Sequence, residues 1–269
     1  MFAIEYYLGL ILIGIIAGFA SGLLGVGGGF LIVPLQYFLL QYIGVSQDSA
    51  ILLSFGTSLA IIIPTATSGA YKHSQKLDGI IDIGFKLGIF GIIGGVVGGF
   101  AASVMPSNIL QIIFGFLLLI ISLKNLFSRD TKDNNAKFQF NLLSIILTGV
   151  SVGFSSGLLG IGGGIFLILI LTMLFGFSLI KAIGISSVFI SLTAIGGTIS
   201  YIISGWGVNI LPYSIGYVII INFILISLFS VPFAQLGAKF THKLPEKLLK
   251  RIFGVIILYI ALKMLNIMP

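Results

Sequence analysis

Two glycine clusters are the part of this chain whose spacing could bind a ligand. Gly25, Gly27, Gly28 and Gly29 end the stretch 18–29. Gly160, Gly162, Gly163 and Gly164 end its copy, 153–164, which lies 135 residues later and is identical at ten of twelve positions. Glycine reaches backbone angles closed to other residues and lets a ligand approach the main chain. A helix restarting after such a cluster presents unpaired N–H groups and the positive end of its dipole, which suits an anion. Ser21 and Ser156 stand four residues before Gly25 and Gly160, on the same helical face. Thr57, Ser58, Ser186 and Ser187 occupy matching places early in the segments that follow. These glycines and hydroxyls form the expected substrate site: an anion site of peptide amides and small hydroxyls, without a charged side chain. Hydroxyls in apolar helices also bond their own backbone, and glycine clusters also serve helix packing.

The elements that must position these residues are membrane helices. Apolar residues make up 58% of the chain and charged residues 8%, against roughly 25% charged in soluble domains. Uncharged runs cover residues 6–47, 49–71, 87–123, 138–180 and 182–238. A crossing helix needs about 20 apolar residues, so several runs hold more than one. The net charge of +7 is concentrated in short loops, the positive-inside pattern, so nucleic acid is not the expected partner. With no cysteine, disulfides and thiolate metal sites are excluded. The start of the chain, with Glu5 and no basic residue before its apolar run, reads as a resident helix rather than a cleaved signal.

The charged stretch around Arg129, Asp130, Lys132 and Asp133 divides the chain. The expected units are a membrane repeat over 1–128, a basic cytoplasmic linker over 129–137 and a second repeat over 138–269. Phe114-Gly115 recurs as Phe253-Gly254, and Pro106 as Pro245. Ser58, Thr65, Gly69 and His73 align with Ser186, Thr193, Gly197 and Tyr201. Each half reads as a glycine-broken segment (6–43, 140–177) and three helices, over 49–71, 84–104 and 108–127, then 183–203, 213–236 and 247–266. The turn holding Lys72 and Lys76 is basic where its counterpart, 204–211, is uncharged; the Pro106 and Pro245 turns show the reverse. Matching loops therefore fall on opposite sides of the membrane. With basic loops cytoplasmic and both termini outside, 13 of 14 Lys and Arg lie inside. Each broken segment must then cross an even number of times. A continuous 42-residue helix would be roughly 63 Å long, twice the hydrocarbon thickness, so it folds back at the glycines, either re-entering or crossing fully. The fold class is an all-α polytopic membrane protein of two inverted-topology repeats, each a glycine-broken helical hairpin followed by three transmembrane helices.

Other chemistries find little support. The glycines lack the GxGxxG order and no Lys-Ser/Thr follows them; the paired Asn-Pro-Ala signatures of aquaporins are missing; no triad, carboxylate pair or metal cluster suggests an enzyme or a cofactor. The run Gly84, Gly88, Gly91, Gly94, Gly95, Gly98, Gly99 has packing spacing without a break. His73 and His242 read as solvated loop residues, and Asp48, Asp78 and Asp82 as interfacial, so ion coupling is not indicated.

The chain resembles the TauE/SafE family of sulfite and organosulfonate exporters. The resemblance is carried by 18–29 with Pro34, by 153–164, by the Thr57-Ser58 segment with Thr65, Gly69 and His73, and by the Phe-Gly pairs at 114–115 and 253–254. It implies a multi-pass inner-membrane transporter of small sulfur oxyanions or sulfonates, with the motif glycines and serines as the anion site. Leu169 and Leu171 replace Pro34 and Gln36 in the second copy, which makes that site lopsided. The expected mechanism is alternating access by rocking of the two halves; a passive anion channel with paired half-helices, or a membrane scaffold, are the alternatives.

Overall fold

The structure, a computed structural model, describes residues 4–24, 26–127, 140–208, 210–240, 246–265 and 267. Gly25, the 129–137 linker, His242 and Pro245 lie outside the described residues. The fold is all-α and polytopic. In chain order it comprises α1 (Ile4–Leu24), α2 (Gly29–Tyr42), α3 (Gln47–Ser74), α4 (Ile80–Val104), α5 (Ser107–Phe127), α6 (Leu142–Leu159), α7 (Gly164–Met173), α8 (Leu179–Ser204), strands β1 (Ser214–Ile215) and β2 (Val218–Ile219), α9 (Ile220–Phe240) and α10 (Glu246–Met264). Among the described residues six helices, α1, α3, α4, α6, α8 and α9, are long and apolar enough to cross a membrane.

Local sequence explains the boundaries. Asn141 accepts from the Ser144 amide and Ser144 from the Asn141 amide, a capping box that starts α6. Gly79, at φ 75°, turns the chain into α4. On α4 large side chains recur every three or four residues on an exposed face (Ile81, Phe85, Ile89, Ile93, Val97, Phe100), while glycines line the buried one. That division suits a helix with lipid on one side and backbone on the other.

The packing interleaves the two halves. Gly14, Gly18 and Gly22 of α1 face Ile226, Ser230 and Ala234 of α9. Gly149, Gly153 and Gly157 of α6 face Leu87, Gly91 and Gly95 of α4, the same seam between the counterpart elements. A Cβ on Gly14 would lie 2.8 Å from the Ile226 carbonyl oxygen, and one on Gly149 2.7 Å from that of Leu87. Within each seam residue numbers rise together, so the helices run the same way. α8 continues beside α4, with Gly84 at Val188 and Gly88 at Leu192; α3 continues beside α9, where the Thr65 and Ser230 hydroxyls share a 2.6 Å hydrogen bond. Counterpart helices instead meet head to tail. Gly56 of α3 adjoins Tyr201 of α8 and Leu59 adjoins Gly197. Gln111 of α5 donates to the Met264 carbonyl of α10 at 2.7 Å, and Ser122 to that of Gly254 at 2.8 Å.

Two sequence expectations need correction. The helix expected from residue 213 begins at Ile220, because 214–219 form a β-hairpin paired Ser214 to Ile219 and Ile215 to Val218. Pro212, Tyr213 at φ 61° and Gly216 at φ 57° turn the chain before it can wind. The hairpin is fastened to the bundle: the Ile219 amide donates to Thr57 Oγ1 at 3.0 Å and the Tyr217 amide to the Tyr201 carbonyl at 3.2 Å. His73 is not solvated either. α3 winds on to Ser74, which carries His73 onto the buried face of its last turns, at 2% exposure.

Candidate functional site

The repeated sequence builds a repeated shape. Gly27 and Gly28 have φ 79° and 74°; Gly162 and Gly163 have φ 88° and 74°. Another L-residue would carry roughly 1–2 kcal/mol of strain at each such position. Gly160, at φ 67°, closes α6. Gly28 and Gly163 are the N-caps of α2 and α7, and neither helix start has a side-chain cap. Both caps fold back on the helix before them. A Cβ on Gly28 would lie 2.8 Å from the Ala17 carbonyl oxygen, and one on Gly163 3.0 Å from that of Val152. The outbound helices α1 and α6 have 21 and 18 residues, about 31 and 27 Å. The returning α2 and α7 have only 14 and 10, about 21 and 15 Å. Each hairpin is therefore a nearly full-length helix out and a partial helix back, restarting two turns short of the outbound end.

Tertiary packing brings the two breaks together. A Cβ on Gly29 would stand 2.7 Å from the Ile161 carbonyl oxygen of the other motif. Ile62 of α3 and Ile190 of α8 sit between them: Gly27 and Gly162 each adjoin both, and Gly29 adjoins Ile62. These isoleucines stand four residues after the aligned Ser58 and Ser186, so they are the same position of the repeat. Sequence reasoning missed them because isoleucine in an apolar helix is unremarkable; the four-residue offset from the serines was the available signal.

The expected hydroxyls divide into two groups. Ser21 and Ser156 are buried beside the N-cap glycines, their Cβ atoms 3.3 and 3.2 Å from where Cβ atoms on Gly28 and Gly163 would stand. Ser186 donates to the Gly164 carbonyl at 3.2 Å, at the start of α7. Ser58 Oγ and Ser156 Oγ are buried with no hydrogen-bond partner among the described residues. Thr57, by contrast, is engaged by the β-hairpin, and Ser187 donates to its own helix at Ile183, 3.0 Å away. The structure thus gathers Ser21, Gly27, Gly28, Gly29, Ser156, Gly162, Gly163, Gly164 and Ser186 around the breaks. Gly160 is held against Phe55. Two helix starts, with the spare Ser156 hydroxyl beside one of them, present N–H and O–H donors of the kind a small anion would accept.

Comparison with known proteins agrees with this architecture. The family model described as sulfite exporter TauE/SafE matches residues 10–264. A probable membrane transporter protein of Haemophilus influenzae is 33% identical, over 94% of this chain and 96% of its own length. One from Methanocaldococcus jannaschii is 32% identical, over 94% of each. A third, YunE of Bacillus subtilis, is 27% identical over 95% of this chain and 96% of its own. No solved structure gives a significant match. From the duplicated glycine hairpin, the membrane-length helices and the match along nearly its whole length, the chain belongs to the sulfite exporter TauE/SafE family of membrane transporters.

Proposed function

We propose that the protein exports a small sulfur-containing anion, sulfite or an organosulfonate, across the inner membrane by alternating access at the paired glycine breaks. The observation that carries this reading is the meeting of the two breaks, each with an uncapped helix start, beside the Ser156 hydroxyl, which has no hydrogen-bond partner among the described residues. Head-to-tail contact of α3 with α8 and of α5 with α10 supports two inverted repeats, with basic loops in the cytoplasm and both termini outside. The basic loops would raise anion concentration at the inner mouth, which suits export. The close seams join α1 and α3 to α9, and α6 and α8 to α4. The bodies that rock are then these interleaved groups, with α3 against α8 as the pivot, rather than residues 1–128 against 138–269.

Sulfite counterflow in vesicles containing the purified protein tests the proposal. Saturable uptake, accelerated by sulfite on the far side, is expected of a carrier. Flux that rises linearly with concentration and ignores the far side would indicate a channel and overturn alternating access. Ile62 and Ile190 occupy the space between the breaks, which suits a carrier closed at its centre. Ile190→Ala, alone or with Ile62→Ala, is expected to speed downhill sulfite leak and weaken counterflow, while Ile190→Phe slows both. Unchanged kinetics in all three would remove these side chains from the path.

A further inference from the structure

One buried amide on α2 belongs to none of the groups assigned so far. Gln36 is fully buried, and its Nε2 has no hydrogen-bond partner among the described residues. Its Oε1 accepts from Asn222 Nδ2 of α9 at 3.1 Å, and Asn222 Oδ1 accepts from the Tyr6 hydroxyl of α1 at 2.7 Å. Direction matters in such a chain. In the structure the Tyr6 hydroxyl donates to the Asn222 oxygen, and the Asn222 NH2 donates to Gln36. The Gln36 oxygen is thereby taken, and the chain ends in an NH2 group that can only donate. A buried donor left without an acceptor costs about 1–3 kcal/mol. Packing alone gives no reason to keep one, least of all with two further buried polar residues fixing its orientation.

Its place on α2 links it to the breaks. Gln36 follows Gly29 by seven residues, two turns or about 10.5 Å along the same helical face. Gly29 meets the Ile161 backbone of the opposite break. The matching residue of α7 is Leu171, so the second half offers no equivalent donor. Tyr6, Asn222 and Gln36 come from α1, α9 and α2, and they converge on the side where the β-hairpin closes against Thr57.

We propose that the Gln36 amide donates to an oxygen of the transported oxyanion on the hairpin side of the breaks, with Asn222 and Tyr6 as its positioning residues. The inference rests on the anion-transport reading above. It makes the path asymmetric: the position matching Gln36 in the second repeat is Leu171, which cannot donate.

Initial rates of sulfite transport into vesicles test it, with thermal unfolding measured on the same preparations. Gln36→Leu, which installs the residue of the second repeat, is expected to raise the KM for sulfite about tenfold, the loss of one hydrogen bond to a charged group, with the maximal rate within about twofold. Gln36→Glu keeps the shape and the bond from Asn222 but removes the free donor, and it should raise KM at least as much. Adding Asn222→Leu to Gln36→Leu should raise KM no further, because Asn222 acts through Gln36. A wild-type KM in either Gln36 variant, even with a lowered unfolding temperature, would make the amide purely structural and overturn the inference. Wild-type vesicles that move no sulfite, sulfate or sulfonate would overturn the parent reading, and this one with it.

Discussion

Gly28→Leu and Gly163→Leu are each expected to reduce sulfite transport by at least tenfold while the protein still folds and inserts. Both positions cap a returning helix at φ 74°, and a leucine there carries the left-handed strain of roughly 1–2 kcal/mol. The new Cβ would also press on the preceding helix, at the Ala17 carbonyl in one hairpin and at Val152 in the other. The start of α2 or α7 must shift or fray, and its amides then no longer face the meeting point of the breaks. Losing a single hydrogen bond to a charged group accounts for about 1.5–3 kcal/mol, or roughly tenfold to a hundredfold in affinity. The damage is local, because α1 and α6 keep their seams with α9 and α4. Transport by reconstituted protein, set beside its elution profile and unfolding temperature, gives the answer. Normal rates in both variants would dismiss the breaks as the site.

The seam glycines predict the opposite pattern. At Gly22 a Cβ would run into the Ala234 carbonyl oxygen, and at Gly157 into that of Gly95. Here no backbone dihedral is unusual; the obstacle is a neighbouring main chain that cannot step aside without separating two helices along their length. Gly22→Leu and Gly157→Leu should therefore lose folded protein itself, lowering the unfolding temperature and the yield of monodisperse material. Overpacking at a tight contact costs about 1–3 kcal/mol, and here it disrupts an extended interface. Variants with wild-type stability would show that the seams are looser than the backbone distances imply.

The contrast shows how far a glycine can be understood from its sequence context. The break glycines stood out because they are duplicated, adjacent and centred in runs too long for one helix. The Gly84 to Gly99 ladder was legible as a packing face from its spacing, and it packs on α6 and α8. Its partners were not legible. Nor was the β-hairpin at 214–219, which occupies residues apolar enough to pass for the start of α9. His73 was misread for a related reason: its neighbour Lys72 marks a helix end, but the helical phase of the last turn decides which of the two faces inward.

Tyr6, Asn222 and Gln36 show the limit most plainly, with hydrogen bonds spanning 216 and 186 positions of sequence. Composition, loop charge and internal duplication were enough to determine a multi-pass membrane protein with two glycine hairpins, since each is a local or periodic property of the chain; transport followed only from the family resemblance of its motifs. Only tertiary structure decided that the breaks touch, that two isoleucines adjoin both of them, and that the glycine seams of α1 with α9 and of α6 with α4 join one half to the other. In lipid an apolar side chain is as content facing acyl tails as facing another helix. Hydropathy therefore announces that a helix is in the membrane but not which of its faces finds a partner; backbone proximity and buried hydrogen bonds, made between residues far apart in the chain, settle that choice.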